Sequence, residues 1–187
     1  NMKKVIVVLF LFIIISLSLS GCDRTYLSYL TINSSNEILL SKTDEYIENT
    51  NSLYYSNSYS NNNHVYFYKE IDFEKSHSSF SPVIEYSFYI KSLRDLEAKL
   101  SLKLNNANSY LLDYIRIALK INNEFTVYKY FEENEIVYDE ANECENTEYF
   151  ISRTDVFKEY KLPLINDESK EITIFIWLEK DELYDNN

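Results

Sequence analysis

The sequence predicts a mainly β fold: an antiparallel sandwich of about seven or eight strands, preceded by a signal-peptide helix and a flexible linker. Three observations carry that expectation. Apolar and polar residues alternate with period two in stretch after stretch between His64 and Leu178, as half-buried strands require. Asparagines punctuate those stretches at hairpin spacing, at Asn105-Asn106, Asn122-Asn123, Asn134 and Asn166-Asp167. Asn suits such turns because its short side chain bonds locally and tolerates left-handed backbone. No long stretch of the same region sustains the 3.6-residue period of a helix.

The first element is a leader. Lys3 and Lys4 precede an apolar run from Val5 to Leu19, interrupted only by Ser16 and Ser18. A spanning helix needs about 20 apolar residues, so this run is short for one and fits the apolar core of a secretory signal. It ends in Leu19-Ser20-Gly21-Cys22, which looks like a bacterial lipobox: an aliphatic residue, two small residues for the cleavage pocket, and a thiol to carry a diacylglyceryl group. The expectation is a leader over 1–21, cleaved to leave Cys22 as the lipidated first residue. The partner so implied is the membrane, and the location its extracytoplasmic face. Two or three acyl chains anchor stably where one does not.

Residues 22–63 read as a lipidated N-terminus and linker. Its end, 51–63, contains only Asn, Ser, Tyr and a single Leu, offering little to bury and no period. The sandwich domain is expected over 64–187. Strand-like segments are 65–68, 71–73, 84–90, 96–104, 115–121, 125–130, 135–138 and 172–178. A helix competes for 109–121 because Leu and Ala favour it, but strict alternation and β-branched isoleucines favour the strand. Ile172, Ile174 and Ile176 alternate with Thr173, Phe175 and Trp177, so this segment has apolar groups on both faces, as a central strand would.

Composition narrows the functions. The 187-residue chain has one glycine, where average usage gives about 13. Phosphate-binding loops, dinucleotide fingerprints, EF-hand loops and nucleophile elbows all need glycine where backbone approaches a ligand or turns sharply. A formal charge of −12 is the wrong sign for nucleic acid, whose phosphates are neutralised by Lys and Arg. With Cys22 acylated, Cys144 has no thiol to pair with inside the chain.

Three segments carry a family likeness: HVYFYKEIDFEKSHSSFSPVIEYSFYIKSL (64–93), LLDYIRIALKINNEFTVY (111–128) and FKEYKLPLINDESKEITIFIWLEKDE (157–182). In order and spacing they resemble the TasA/camelysin-like secreted proteins, in which a "DYIRV" strand and an "ITIVIWLE" strand recur. The resemblance implies an exported Ig-like or jelly-roll sandwich, in some members a matrix-fibre subunit that joins its neighbour by donating a strand. Lys180 stands where the family often has Gly after Trp-Leu-Glu, and the Gly-Gly turn and further strand that usually follow are not in this sequence.

Candidate chemistry is sparse. Camelysin-like proteins are sometimes described as metallopeptidases, but zinc peptidases commonly present His-Glu-x-x-His, and His64 and His77 stand alone. The acidic stretch 132–148 offers weak divalent-cation ligands in Glu140, Glu143 and Glu145, without the loop spacing of a calcium site. Cys144 sits within it, where neighbouring carboxylates disfavour the thiolate. Glu179 and Asp181 are expected to be exposed, and Trp177 to be core. The expectation is therefore a non-catalytic surface structural or interaction module without a cofactor, related to matrix or adhesion and self-associating by strand donation. The alternatives are a solute- or polymer-binding lipoprotein with an aromatic patch and a divergent metallopeptidase.

Overall fold

The computed structural model describes residues 4–14, 24–46, 50–61, 71–75, 83–105, 112–130 and 146–179. Within them the chain forms eleven strands: β1 (Lys4–Ile14), β2 (Arg24–Asn33), β3 (Ile38–Ser41), β4 (Ser52–Asn61), β5 (Ile84–Ser92), β6 (Leu96–Asn105), β7 (Ile115–Ile121), β8 (Glu124–Lys129), β9 (Thr147–Tyr149), β10 (Asp155–Leu164) and β11 (Ser169–Leu178). They make two sheets, one in the order β10-β6-β1-β2-β4 and the other β3-β5-β11-β7-β8-β9. Pairing is antiparallel except for β1 with β6 and β8 with β9. The fold is thus a mainly β sandwich, with more strands than the sequence pattern suggests.

The alternating segments behave as their period requires. Along β5 and β6 every second residue is buried, and Phe88, Ile90, Ala98, Leu100 and Leu102 are fully enclosed. Residues 115–121 are strand β7 rather than helix. The inner faces meet in one core in which Leu30 and Ile32 of β2, Leu96–Leu104 of β6 and Leu162 of β10 oppose Ile38, Tyr86, Ile117, Leu119, Ile172 and Ile174 of the other sheet. Tyr55 of β4 reaches across, its hydroxyl donating to Ser87 O at 2.7 Å and its ring lying 5.7 Å edge-on to Tyr86. Burial raises its phenol pKa well above the ordinary value.

The second sheet is covered on its other face too. Phe175 and Trp177 of β11 point away from the core and pack with Ile71, Val83, Ala118 and Val127, flanked by Phe73 and Phe125. Phe73 lies 4.8, 5.1 and 5.8 Å from the rings of Phe125, Phe175 and Trp177. Residues 71–75 thus form a strap over the sheet rather than the strand expected over 71–73. A tight turn, with Lys75 N–H donating to Asp72 O at 3.1 Å, replaces the ladder.

Two expectations for the N-terminal third are corrected. The leader run is strand β1, not a helix: its Val, Ile and Phe residues favour extended backbone, and it pairs with β6 on one side and β2 on the other. The linker expected over 22–63 contains β2, β3 and β4. Leu30, Ile32, Ile38, Leu40 and Leu53 supply core contacts that composition alone hides, and Tyr is itself a strand former.

β10 has no clean period because its register shifts between Asp155 and Phe157 and again before Tyr160, with Glu159 at φ 58°. Of the asparagine turns, Asn122 and Asn123 both have positive φ, 53° and 70°, as a two-residue hairpin of type I′ demands. Asp167 turns at φ 62°. Asn105 closes β6, whereas Asn106, Asn134 and the segments 65–68 and 135–138 lie outside the described residues.

Candidate functional site: the outer face of the second sheet

Register decides which side chains share the exposed part of this face. Ser87 of β5 lies opposite Thr173 of β11, which lies opposite Lys120 of β7; one step along, Tyr89 lies opposite Glu171. Beside the aromatic strap these residues border a concavity of about 360 Å³, lined by Phe73, Glu74, Lys75, Glu85, Ser87, Lys120, the Asn122-Asn123 turn, Glu171, Thr173 and Phe175. Ser87 Oγ lies 3.0 Å from Thr173 Oγ1 and donates to Glu85 Oε1 at 3.2 Å. Tyr89 donates to Glu171 Oε1 at 3.3 Å, and burial, reinforced by the Glu171 charge, raises its phenol pKa. Lys120 Nζ bonds Phe73 O at 3.4 Å and pairs with Glu74 at 3.5 Å, tying the strap to β7. Asp72, by its hydrogen bond and then its charge, raises the Lys75 pKa.

Carboxylates, hydroxyls, amides and two amines around two phenyl rings suit a neutral polar ligand with both donors and acceptors. The Ser87 hydroxyl is held by a carboxylate and another hydroxyl, and among the described residues no imidazole lines the cleft to serve as its base. Among the described residues no group of three or more His, Cys, Asp or Glu is placed to hold a metal ion.

Beyond Trp177 lies an ionic cluster. Arg116 Nε sits 2.8 Å from Glu179 Oε2, with both side chains largely enclosed. Arg116 Nη1 donates to Asp113 O at 2.7 Å, and Glu179 N–H donates to Tyr114 O at 2.8 Å. Lys129, opposite Arg116 in the ladder, lies over the Tyr149 ring at 5.4 Å. The expectation that Glu179 is exposed is therefore corrected: it is 7% exposed, because the strand before it carries it inward to meet Arg116. The Asp-Tyr-Ile-Arg and Trp-Leu-Glu segments that stood apart in the sequence are in direct contact. Trp177, as expected, is core, 1% exposed.

Leu19, Ser20, Gly21 and Cys22 of the lipobox lie outside the described residues, as do His64, His77, Glu140, Glu143, Cys144, Glu145 and Asp181. The cleft escapes sequence reasoning because Glu85, Ser87, Lys120 and Glu171 occupy the polar side of alternating strands, which reads as an ordinary solvated face. The usable signal is the mid-strand pair of small hydroxyls, Ser87 and Thr173.

The strand ends also differ in a way that bears on partners. β1 lies in the middle of the first sheet, parallel to β6 and antiparallel to β2, while β4 and β10 are its edges. No helix among the described residues is long and apolar enough to cross a membrane. The chain matches no protein-family profile, no curated protein and no solved structure.

Proposed function

We propose that this chain is an exported, lipid-anchored, non-catalytic surface module that assembles with other chains by strand complementation. One observation carries the reading: the apolar run that reads as a secretory leader occupies an interior place in a sheet, over β1 (Lys4–Ile14), between β6 and β2. Cleavage before Cys22 removes that strand and leaves β6 and β2 with facing ladders of unpaired main-chain groups. A strand from another chain restores the pairing, main-chain bonds giving affinity and alternate side chains specificity. The resemblance to TasA/camelysin-like proteins, some of them fibre subunits, agrees with this use.

Two measurements test it. Fatty-acid labelling in a bacterial host is expected to be lost, with membrane partitioning, in Cys22→Ser; unchanged labelling overturns the anchor. Purified residues 22–187 are expected to form oligomers, or to take up a peptide of residues 4–14 with a rise in melting temperature. A monomer as stable as the full chain and indifferent to the peptide overturns the assembly.

The polar cleft supports a second reading, capture of a soluble polar solute or polymer. Glu85→Gln and Glu171→Gln are expected to abolish saturable binding of a neutral oligosaccharide panel in calorimetry. Absence of binding by the unaltered protein removes this reading.

A further inference from the structure

Sheet edges are hazards that proteins normally blunt with short strands, charge, proline or bulges. Among the described residues, three of the four sheet edges follow that rule. β3 has four residues and β9 three. β10 is long, but it carries Lys158, Glu159 and Lys161, contains Pro163, and has two register shifts. β4 is the exception. It runs ten residues in unbroken register against β2, and its sequence SLYYSNSYSN has no charge and no proline. In a chain of net charge −12 with 26% charged residues, so long an uncharged edge is unusual.

The main chain shows which groups face outward. Tyr54 O accepts from Lys42 Nζ at 2.9 Å, so it points away from β2. Ser52 bonds the side chain of Thr50 through both its N–H and its carbonyl. Strand alternation then directs the N–H and carbonyl of Ser56, Ser58 and Ser60 to the same outward side. The edge is guarded at its Ser52–Tyr54 end, and among the described residues no strand pairs beyond it.

We infer that the β4 edge is a two-fold self-association surface, and that its occupant is the β4 edge of a second copy of this chain. An antiparallel pair centred on Ser58 sets Ser56 opposite the partner copy's Ser60 and lets all three serines exchange main-chain bonds. The uncharged strip is also a place where two acidic chains can approach with least repulsion. This contact extends the proposed assembly but uses a different strand, and among the described residues no strand occupies it while the β1 place is filled.

The test uses the full chain in sedimentation equilibrium across a concentration series, with amide exchange. A monomer–dimer equilibrium is expected, with the Ser56, Ser58 and Ser60 amides protected more strongly at high concentration. Ser56→Pro, which removes an outward N–H, and Ser56→Lys are expected to give monomers with unchanged circular dichroism and melting temperature, whereas Ile165→Lys, a charge added on an exposed loop, leaves the dimer intact. A wild-type chain that stays monomeric overturns the inference. So does a dimer that persists in both Ser56 variants, or one whose edge amides show no concentration-dependent protection. Peptide uptake by residues 22–187 is expected to survive Ser56→Pro, which separates this edge from the β1 place.

Discussion

Arg116 and Glu179 show how much a single residue's role depends on distant chain. Breaking a largely enclosed ion pair from one side strands a charge, which costs about 3–5 kcal/mol, while replacing both partners by apolar groups is far milder. Arg116→Met is expected to destabilise by about 3 kcal/mol and Arg116→Met with Glu179→Leu by clearly less than the sum of the single changes, read by urea unfolding. Asp155 gives a pH signature. Partial burial pushes its carboxyl pKa up, but hydrogen bonds from Lys158 and Ser152, with the Lys158 and Lys103 charges, outweigh that and hold it below the ordinary 3.8. A depressed carboxyl contributes stability that is present above the unfolded value and lost as pH falls through the folded one. Unfolding free energy is therefore expected to fall below about pH 4 in the native chain, and Asp155→Asn to flatten that acid limb. In sequence, Glu179 looked like one more surface acid. Its partner lies 63 positions earlier, and no local pattern announces a pairing that only the β7–β11 ladder creates.

At the scale of elements, legibility followed periodicity. β5, β6, β7, β8 and β11 could be read directly because one face of each is apolar and their spacing leaves room for hairpin turns, and the paired asparagines at 122 and 123 gave the tightest of those turns. β4 could not, since only Leu53 is buried among its described side chains and the rest of the segment has the composition of a spacer. β10 was hidden by its bulges, and β1 by a composition that serves equally for an export leader and for a central strand. The polar cleft was illegible for a related reason: two edges of it come from the strap, which has no period of its own. Phe73 is the strap's anchor against Phe125, Phe175 and Trp177. Phe73→Ala is expected to cost about 3 kcal/mol and to raise amide exchange over 71–75 and β8 while leaving β6 protected. Equal loss of protection in β6 would show that the strap is not a separate layer.

For the whole molecule, charge and assembly oppose each other. A net charge of −12 spread over a 22.3 kDa chain keeps copies apart, and each proposed contact works through main-chain bonds that salt does not weaken. Association of residues 22–187 is therefore expected to strengthen as salt rises from about 0.02 to 0.5 M, where the screening length falls to a few Å, with sedimentation as the readout. Ion-pair-driven association would weaken over the same range. The sandwich itself was foreseen from alternation and turns, but the division of labour among its edges was not, because an edge is a property of the sheet and not of any one strand.

The parallel pairing of β1 with β6 has a consequence in time. Lys4 lies opposite Glu97, so the first strand of the chain is made some ninety residues before its partner. At ordinary synthesis rates of 5–20 residues per second that is about 5–20 s in which the apolar segment is exposed and has no partner from β6. Under the proposed export reading, a targeting factor that captures it in this interval diverts the chain before the sheet can claim it, and a slower factor finds it already folded away. On that proposal, the choice between a self-complete molecule and one that must borrow a strand is decided by a race on the ribosome.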